Sequence, residues 1–193
     1  MVRRMGAPTQ SSSPWFTWAN ALTALRLLSA PFAVLAILGE AHGSALLIFG
    51  FAIATDLADG RVARMRGEES ALGGLLDHSC DAIFVAVALA ACAWRGLVPV
   101  VLPPLILLAF AQYALDSRAI AGHRLRASFI GRWNGIAYFV LLGIPVVRDG
   151  LDLGWPPASW VLAIGWGLVV STIVSMADRG VALVRGPNGT RSR

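Results

Sequence analysis

Six apolar runs constrain this chain more than any other feature: Ala21 to Leu38, Ala45 to Ala58, Leu75 to Trp94, Leu97 to Leu115, Gly135 to Val147 and Ala158 to Ala177. An α-helix needs about 20 apolar residues to cross the hydrocarbon core of a bilayer, so six spans take about 120 residues of the 193 and leave little for a separate soluble domain. Composition agrees. The chain is 56% hydrophobic and 14% charged, with a mean hydropathy of +0.67, whereas a soluble domain usually carries about 25% charge. The expected fold is all-α and integral to the membrane: a six-transmembrane-helix bundle with a short N-terminal interfacial segment. The expected organisation is residues 1–19 as a cytoplasmic or interfacial segment, 20–180 as one six-helix domain, and 181–193 as a cytoplasmic tail.

The N-terminal residues carry Arg3 and Arg4 but then turn polar where a signal peptide needs its apolar stretch, which predicts no cleavable signal. Trp15, Phe16 and Trp18 form an aromatic cluster suited to headgroup depth. Formal net charge is +5, and all 16 basic residues are Arg. They are scattered between apolar spans rather than gathered on one face, which argues against nucleic acid as a partner. Alternate connectors sort them unequally: Arg95 and Arg148 lie on one side, and all the others outside the spans on the opposite side. By the positive-inside rule both termini are cytoplasmic, in a cell or inner membrane. Arg26, within the first span, either snorkels to the interface or points into the bundle. Cys80 and Cys92 are about 18 Å apart by helical rise and cannot pair within one helix; they read as small buried hydrophobes.

The chemically informative residues are four carboxylates at the ends of the second and third runs, Asp56, Asp59, Asp77 and Asp81. Each costs about 2.5 to 3.5 kcal/mol at membrane depth, so positive charge must lie close by. On helices each pair, i and i+3 or i and i+4, projects from one face. A short connector makes the two helices antiparallel neighbours and brings the pairs to one depth. All-oxygen ligation suits Mg²⁺ or Mn²⁺, and four carboxylates can bridge two ions for displacement at phosphorus. The alternative is that these Asp are solvated helix-end residues or pair with Arg61, Arg64 and Arg66.

The intervals between these residues resemble the signature of the CDP-alcohol phosphatidyltransferases, D-x-x-D-G-x-x-A-R, eight residues, G-x-x-x-D-x-x-x-D. The chain supplies Asp56, Asp59, Gly60, Ala63, Arg64, Gly73, Asp77 and Asp81 with every interval kept. Asn20, Thr23, Arg26 and Pro31 are similar to the segment that precedes the signature in many members, and the resemblance covers about residues 15 to 95. It implies a phosphotransferase of phospholipid synthesis that moves the phosphatidyl group from CDP-diacylglycerol to a small polar alcohol or alcohol phosphate, releasing CMP. It implies that Asp56, Asp59, Asp77 and Asp81 hold two divalent cations, Mg²⁺ or Mn²⁺, and that Asp81 is also the general base. Gly60 and Arg64 then contact the CDP moiety, with Asn20, Thr23 and Ser70 as weaker candidates; Ser70 reads equally well as a loop hydroxyl. The resemblance also allows a homodimer, although no residue in the sequence marks an interface.

The acceptor is harder to read. The D-P-x-A-D-K form of many glycerol-phosphate-using and cardiolipin-making members is absent, as is the S-F-G of serine-using ones. Asp77, His78, Cys80 and Asp81 are instead similar to choline- and ethanolamine-phosphotransferases, which keeps a CDP-amino-alcohol donor with a lipid hydroxyl acceptor as an alternative. Arg118 and Arg132, near span ends of the polar connector from Asp116 to Asn134, and Arg179 at the end of the last span, are candidates to bind an anionic acceptor. Positive-inside topology alone also explains them, and Asp116 argues against a purely anionic acceptor. His78 reads as a packing or interfacial residue more than a partner of a metal ligand, and His42 as a loop residue. A different class, a small cation transporter, would also place carboxylates in the membrane. Arg64, one turn from the carboxylates, would repel a travelling cation and instead hold a pyrophosphate.

Overall fold

The computed structural model describes residues 18–66, 71–116 and 129–185, all in six helices and the turns between them. In chain order they are α1 (Trp18–Leu38), α2 (His42–Arg66), α3 (Ala71–Trp94), α4 (Leu102–Asp116), α5 (Phe129–Gly150) and α6 (Ala158–Arg185). Four contain stretches long and apolar enough to cross a membrane: Ala21–Leu38, Gly73–Trp94, Phe129–Gly150 and Ala158–Val181. The apolar part of α2 stops at Ala58, where the polar turn bearing Asp59, Arg61 and Arg64 begins. Helix α4 has 15 residues and rises about 22 Å, short of a hydrocarbon core of about 30 Å.

The helix boundaries correct the sequence reading in three places. The fourth run does not become a helix from Leu97: residues 97–101 form a turn, and α4 starts where Pro103 and Pro104 occupy its first turn. The N–H groups of a first turn have no intrahelical partner, so proline costs least there. The fifth helix begins at Phe129, so Arg132 and Asn134 sit on a helix rather than in the connector assigned to them. His42 opens α2 instead of lying in a loop.

All three described turns at one end of the bundle close in the same way. The amide of Ala41 donates to the carbonyl of Ala36 (2.9 Å), Leu97 to Cys92 (3.0 Å) and Leu153 to Arg148 (2.8 Å). These are the six-to-one bonds that end a helix through one left-handed residue, here Glu40 (φ 53°), Gly96 (φ 73°) and Asp152 (φ 52°). The charges at this end tie the turns together: Arg95 Nη2 lies 3.3 Å from Glu40 Oε1, and its Nη1 3.7 Å from Asp149 Oδ2.

Helix α3 is central, packing against α1, α4 and α5, and its Phe84, Val85 and Leu89 are wholly buried with Leu102, Leu141, Leu142 and Val161. The outer surface is apolar too: Leu47 and Trp94 are 77% and 86% exposed. A hydrophobic interior inside a hydrophobic exterior is the arrangement of an integral membrane protein.

Gly165 sets how closely α6 approaches the turn before α4. A Cβ there would lie 2.4 Å from Cδ of Pro99, a ring that cannot rotate away. Gly165→Ala is therefore expected to destabilise the protein by about 1 to 3 kcal/mol, read as a lower midpoint of thermal unfolding in detergent. An unchanged midpoint would show that α6 does not seat on Pro99.

Candidate active site

The carboxylates meet because α1 lies against both α2 and α3 at the end of the bundle opposite Arg95 and Arg148. Asp77 and Asp81, one turn apart on α3, face Asp56 of α2, and one oxygen from each lies within 4.8 Å of the others. Between them stands Arg26 of α1, whose side chain is 0% exposed. Its Nη2 is 3.3 Å from Asp56 Oδ1 and its Nη1 is 3.2 Å from Asp77 Oδ1, and Nη1 also pairs with Asp81 Oδ1. Thr23, one turn before Arg26 and buried, donates its hydroxyl to Asp77 Oδ1 at 3.5 Å.

The donor set fits a hard divalent cation. Oxygens around one Mg²⁺ stand about 2.0 to 2.1 Å from it and so at most about 4.2 Å apart, and the three carboxylates need close only slightly to meet that limit. All three are partly exposed, so an ion has a way in.

A cleft of about 560 Å³ opens beside them, the size of an ordinary small-molecule site. Asp56, His78 and Asp81 line one side, Arg132 of α5 and Arg179 of α6 another, and Val85, Ile106, Tyr138 and Phe139 provide apolar lining. Tyr113 of α4 stands between the two sides: the Arg179 guanidinium carbon is 4.9 Å from its ring centre, a cation–π contact, and His78 stacks at 6.3 Å. His78 Nδ1 is 3.8 Å from Asp77 Oδ2. It faces the cleft as well as packing on an aromatic ring, so both roles weighed for it in the sequence have a counterpart here.

A polar seam fixes the register of α5 on α6 and so places Arg132 and Arg179 on one wall. Ser171 Oγ donates to Asn134 Oδ1 at 2.7 Å. Thr172 Oγ1 donates its only proton to the Leu168 carbonyl at 2.6 Å, so the Tyr138 hydroxyl, 2.6 Å away, donates to Thr172. Gln112 of α4 donates to the Met176 carbonyl of α6 at 3.1 Å, closing the third side.

Of the residues singled out in the sequence, Asp56, Asp77, Asp81, Thr23, Arg132 and Arg179 are brought to this end of the bundle. Asp59, Gly60, Arg64 and Asn20 lie on helices, but their side chains are outside the described residues, as are Ser70 and Arg118 altogether. Arg61 is exposed. The sequence offered Arg61, Arg64 and Arg66 as partners only in the alternative reading, and left Arg26 undecided between the interface and the bundle. The structure turns Arg26 into the bundle, onto three of the carboxylates. Tyr113 and Asn134 were missed altogether, and no local pattern marks them.

The sequence profile described as CDP-alcohol phosphatidyltransferase matches residues 16–174. The chain is 31% identical over 142 residues to a CDP-diacylglycerol–glycerol-3-phosphate 3-phosphatidyltransferase of Cereibacter sphaeroides, covering 69% of this chain and 64% of that relative, less than two thirds of its length. It is 24% identical over 174 residues to a CMP-forming cardiolipin synthase of Streptomyces coelicolor, covering 81% of each. It is 28% identical over 146 residues to a phosphatidylinositol phosphate synthase of Mycolicibacterium smegmatis, covering 73% of this chain and 65% of that one. No solved structure matches the chain significantly. The profile runs through the whole carboxylate cluster and the cleft as far as α6, and on that ground the chain belongs to the CDP-alcohol phosphatidyltransferase family.

Proposed function

We propose that the protein transfers the phosphatidyl group of CDP-diacylglycerol to the hydroxyl of a small, phosphate-bearing alcohol, with release of CMP. The observation that carries this reading is the cleft itself, which is lined by Asp56 and Asp81 together with Arg132 and Arg179. Carboxylates suit a metal-held pyrophosphate, and guanidinium forks suit the phosphate of a second substrate. The names of the relatives agree, since two of them specify a phosphorylated acceptor or product.

In this reading Asp56, Asp59, Asp77 and Asp81 hold the divalent cations, and Gly60 and Arg64 meet the CDP moiety, with Asn20, Thr23 and Ser70 beside it. Bound Mg²⁺ or Mn²⁺ supplies charge stabilisation at the transferring phosphoryl group. Asp81 accepts the proton of the acceptor hydroxyl as its oxygen bonds to the β-phosphorus and the bond from that phosphorus to CMP breaks. Arg132 and Arg179, with Arg118, orient the acceptor so that its hydroxyl faces Asp81. The acyl chains leave between helices into lipid.

We place all six helices across the membrane, as one domain over residues 20–180, with both termini and the cleft cytoplasmic. Thirteen of the 16 Arg belong to that side by the alternation of connectors, and the carboxylates lie at the same end. The test is CMP release by purified protein in detergent with CDP-diacylglycerol and Mg²⁺ or Mn²⁺, across glycerol 3-phosphate, inositol 1-phosphate, inositol and serine. Release is expected only with metal, and with a phosphorylated acceptor well above its unphosphorylated counterpart. Release with inositol or serine alone would remove the role of the Arg wall. No release with any acceptor would favour a CDP-amino-alcohol donor.

A further inference from the structure

A fully buried arginine needs its charge answered, and Arg26 answers to three carboxylates at once. Among the described residues its contacts with Asp56, Asp77 and Asp81 are each made to Oδ1. The guanidinium and Asp77 are absent from the lining of the cleft, whereas Asp56 and Asp81 belong to it. The cation therefore lies off the cleft that Asp56 and Asp81 face, and an ion entering from the cleft meets those two carboxylates first. Without Arg26, three carboxylates within 4.8 Å of one another would repel strongly in a medium of low dielectric constant.

We infer that Arg26 is a built-in counter-cation, which holds Asp56, Asp77 and Asp81 together when no divalent ion is bound and competes with that ion for their charge. The inference rests on the reading of the three Asp as metal ligands. It makes Arg26 a positioning residue rather than a catalytic one, since it touches the carboxylates and not the cleft. Its position explains why one element, α1, must contact both α2 and α3: the guanidinium joins the helix carrying Asp56 to the helix carrying Asp77 and Asp81. Thr23, donating to the same oxygen of Asp77, supports the cluster from one turn away on α1.

Linkage gives the consequence its sign. If Arg26 stabilises the metal-free protein more than the metal-bound one, removing it must tighten metal binding by the same factor. The test uses the full chain in detergent, with thermal unfolding in EDTA and in saturating Mn²⁺, and Mn²⁺ affinity from the electron paramagnetic resonance signal of the free ion. Wild type is expected to unfold a few degrees higher in saturating Mn²⁺ than in EDTA, and Arg26→Gln to gain more from the ion than wild type does. Arg26→Gln, with the charge removed, is expected to unfold about 5 °C or more lower in EDTA, to recover most of that loss with Mn²⁺, and to bind Mn²⁺ about tenfold more tightly. Arg26→Lys restores the charge without the fork, and its metal response should fall between the two.

A role confined to packing predicts a different result: a loss of stability in Arg26→Gln that Mn²⁺ does not reverse, with Mn²⁺ affinity unchanged or weaker. That result overturns the proposal, as does an Arg26→Gln protein as stable in EDTA as wild type. Should Arg26→Gln be recoverable only when purified with Mn²⁺, that dependence supports the proposal; should it fail with and without the ion while Arg26→Lys responds to metal like wild type, the proposal falls. Mn²⁺ binding to none of the three proteins overturns the metal reading itself, a result distinct from equal binding to all three, which removes only the role of Arg26.

Discussion

Replacing Asp81 by Asn is expected to lower CMP release at least about 10³-fold while leaving the protein folded. Two losses combine in this one change: an amide cannot accept the acceptor's proton, and it is a weaker ligand for a hard cation. The fold should survive because Arg26 keeps Asp56 and Asp77 as partners, at 3.3 and 3.2 Å, and Asn occupies the same volume. Asp77→Asn removes a ligand without removing the base, so its expected loss is smaller, about 10²-fold, and higher Mn²⁺ should recover part of it. Initial rates of CMP release at several Mn²⁺ concentrations, beside thermal unfolding of each variant, separate these effects. An Asp81→Asn protein with near wild-type turnover would move the base elsewhere. His78, which lines the same cleft with Nδ1 3.8 Å from Asp77, is then the next residue to change.

The pairing of Asp77 with Asp81 in the carboxylate cluster was readable in the sequence because its spacing is helical: the two must share a face wherever the helix goes. What spacing cannot say is which helix lies opposite. Arg26 shows the gap clearly. An arginine inside an apolar span near its end and four carboxylates that need positive charge are complementary facts, but only the packing of α1 on α2 and α3 joins them. The nearer arginines in sequence were weighed as partners only in the alternative reading, and Arg61 proved to be exposed.

Helix number followed from the apolar runs, whereas helix ends did not. Hydropathy treats Leu97 to Val101 as more of the same span, but the left-handed residue Gly96 and the prolines 99, 103 and 104 delay the helix to Leu102. Polarity misleads in the opposite direction at Asn134, which ends the polar connector yet is buried in a helix, where Ser171 satisfies its side-chain oxygen. Two of the turns use Glu40 and Asp152 at the left-handed position itself, although the glycines near them, Gly39 and Gly150, mark the breaks in the sequence. In each case a tertiary partner or a backbone conformation outweighs the local pattern.

Arg132→Gln and Arg179→Gln are each expected to raise the KM of a phosphate-bearing acceptor about 10- to 100-fold and to change the KM of CDP-diacylglycerol little. A charge-assisted hydrogen bond to phosphate contributes about 1.5 to 3 kcal/mol, and a factor of ten corresponds to about 1.4 kcal/mol. The two sites differ in what holds them. Arg179 rests on the Tyr113 ring at 4.9 Å and enters the cleft from a helix pinned by Tyr138 and Thr172. Arg132 is exposed on the first turn of α5 and has more freedom. Lysine should therefore rescue Arg132 in part and Arg179 poorly, because an ammonium cannot combine stacking on Tyr113 with a two-pronged grip on phosphate. The check is steady-state kinetics with acceptor and donor varied in turn. Equal rises in both KM values would show that these arginines serve the donor's pyrophosphate. Unchanged values for both would leave them as topology-setting charges, and the acceptor would then be read by the apolar lining around Ile106 and Phe139.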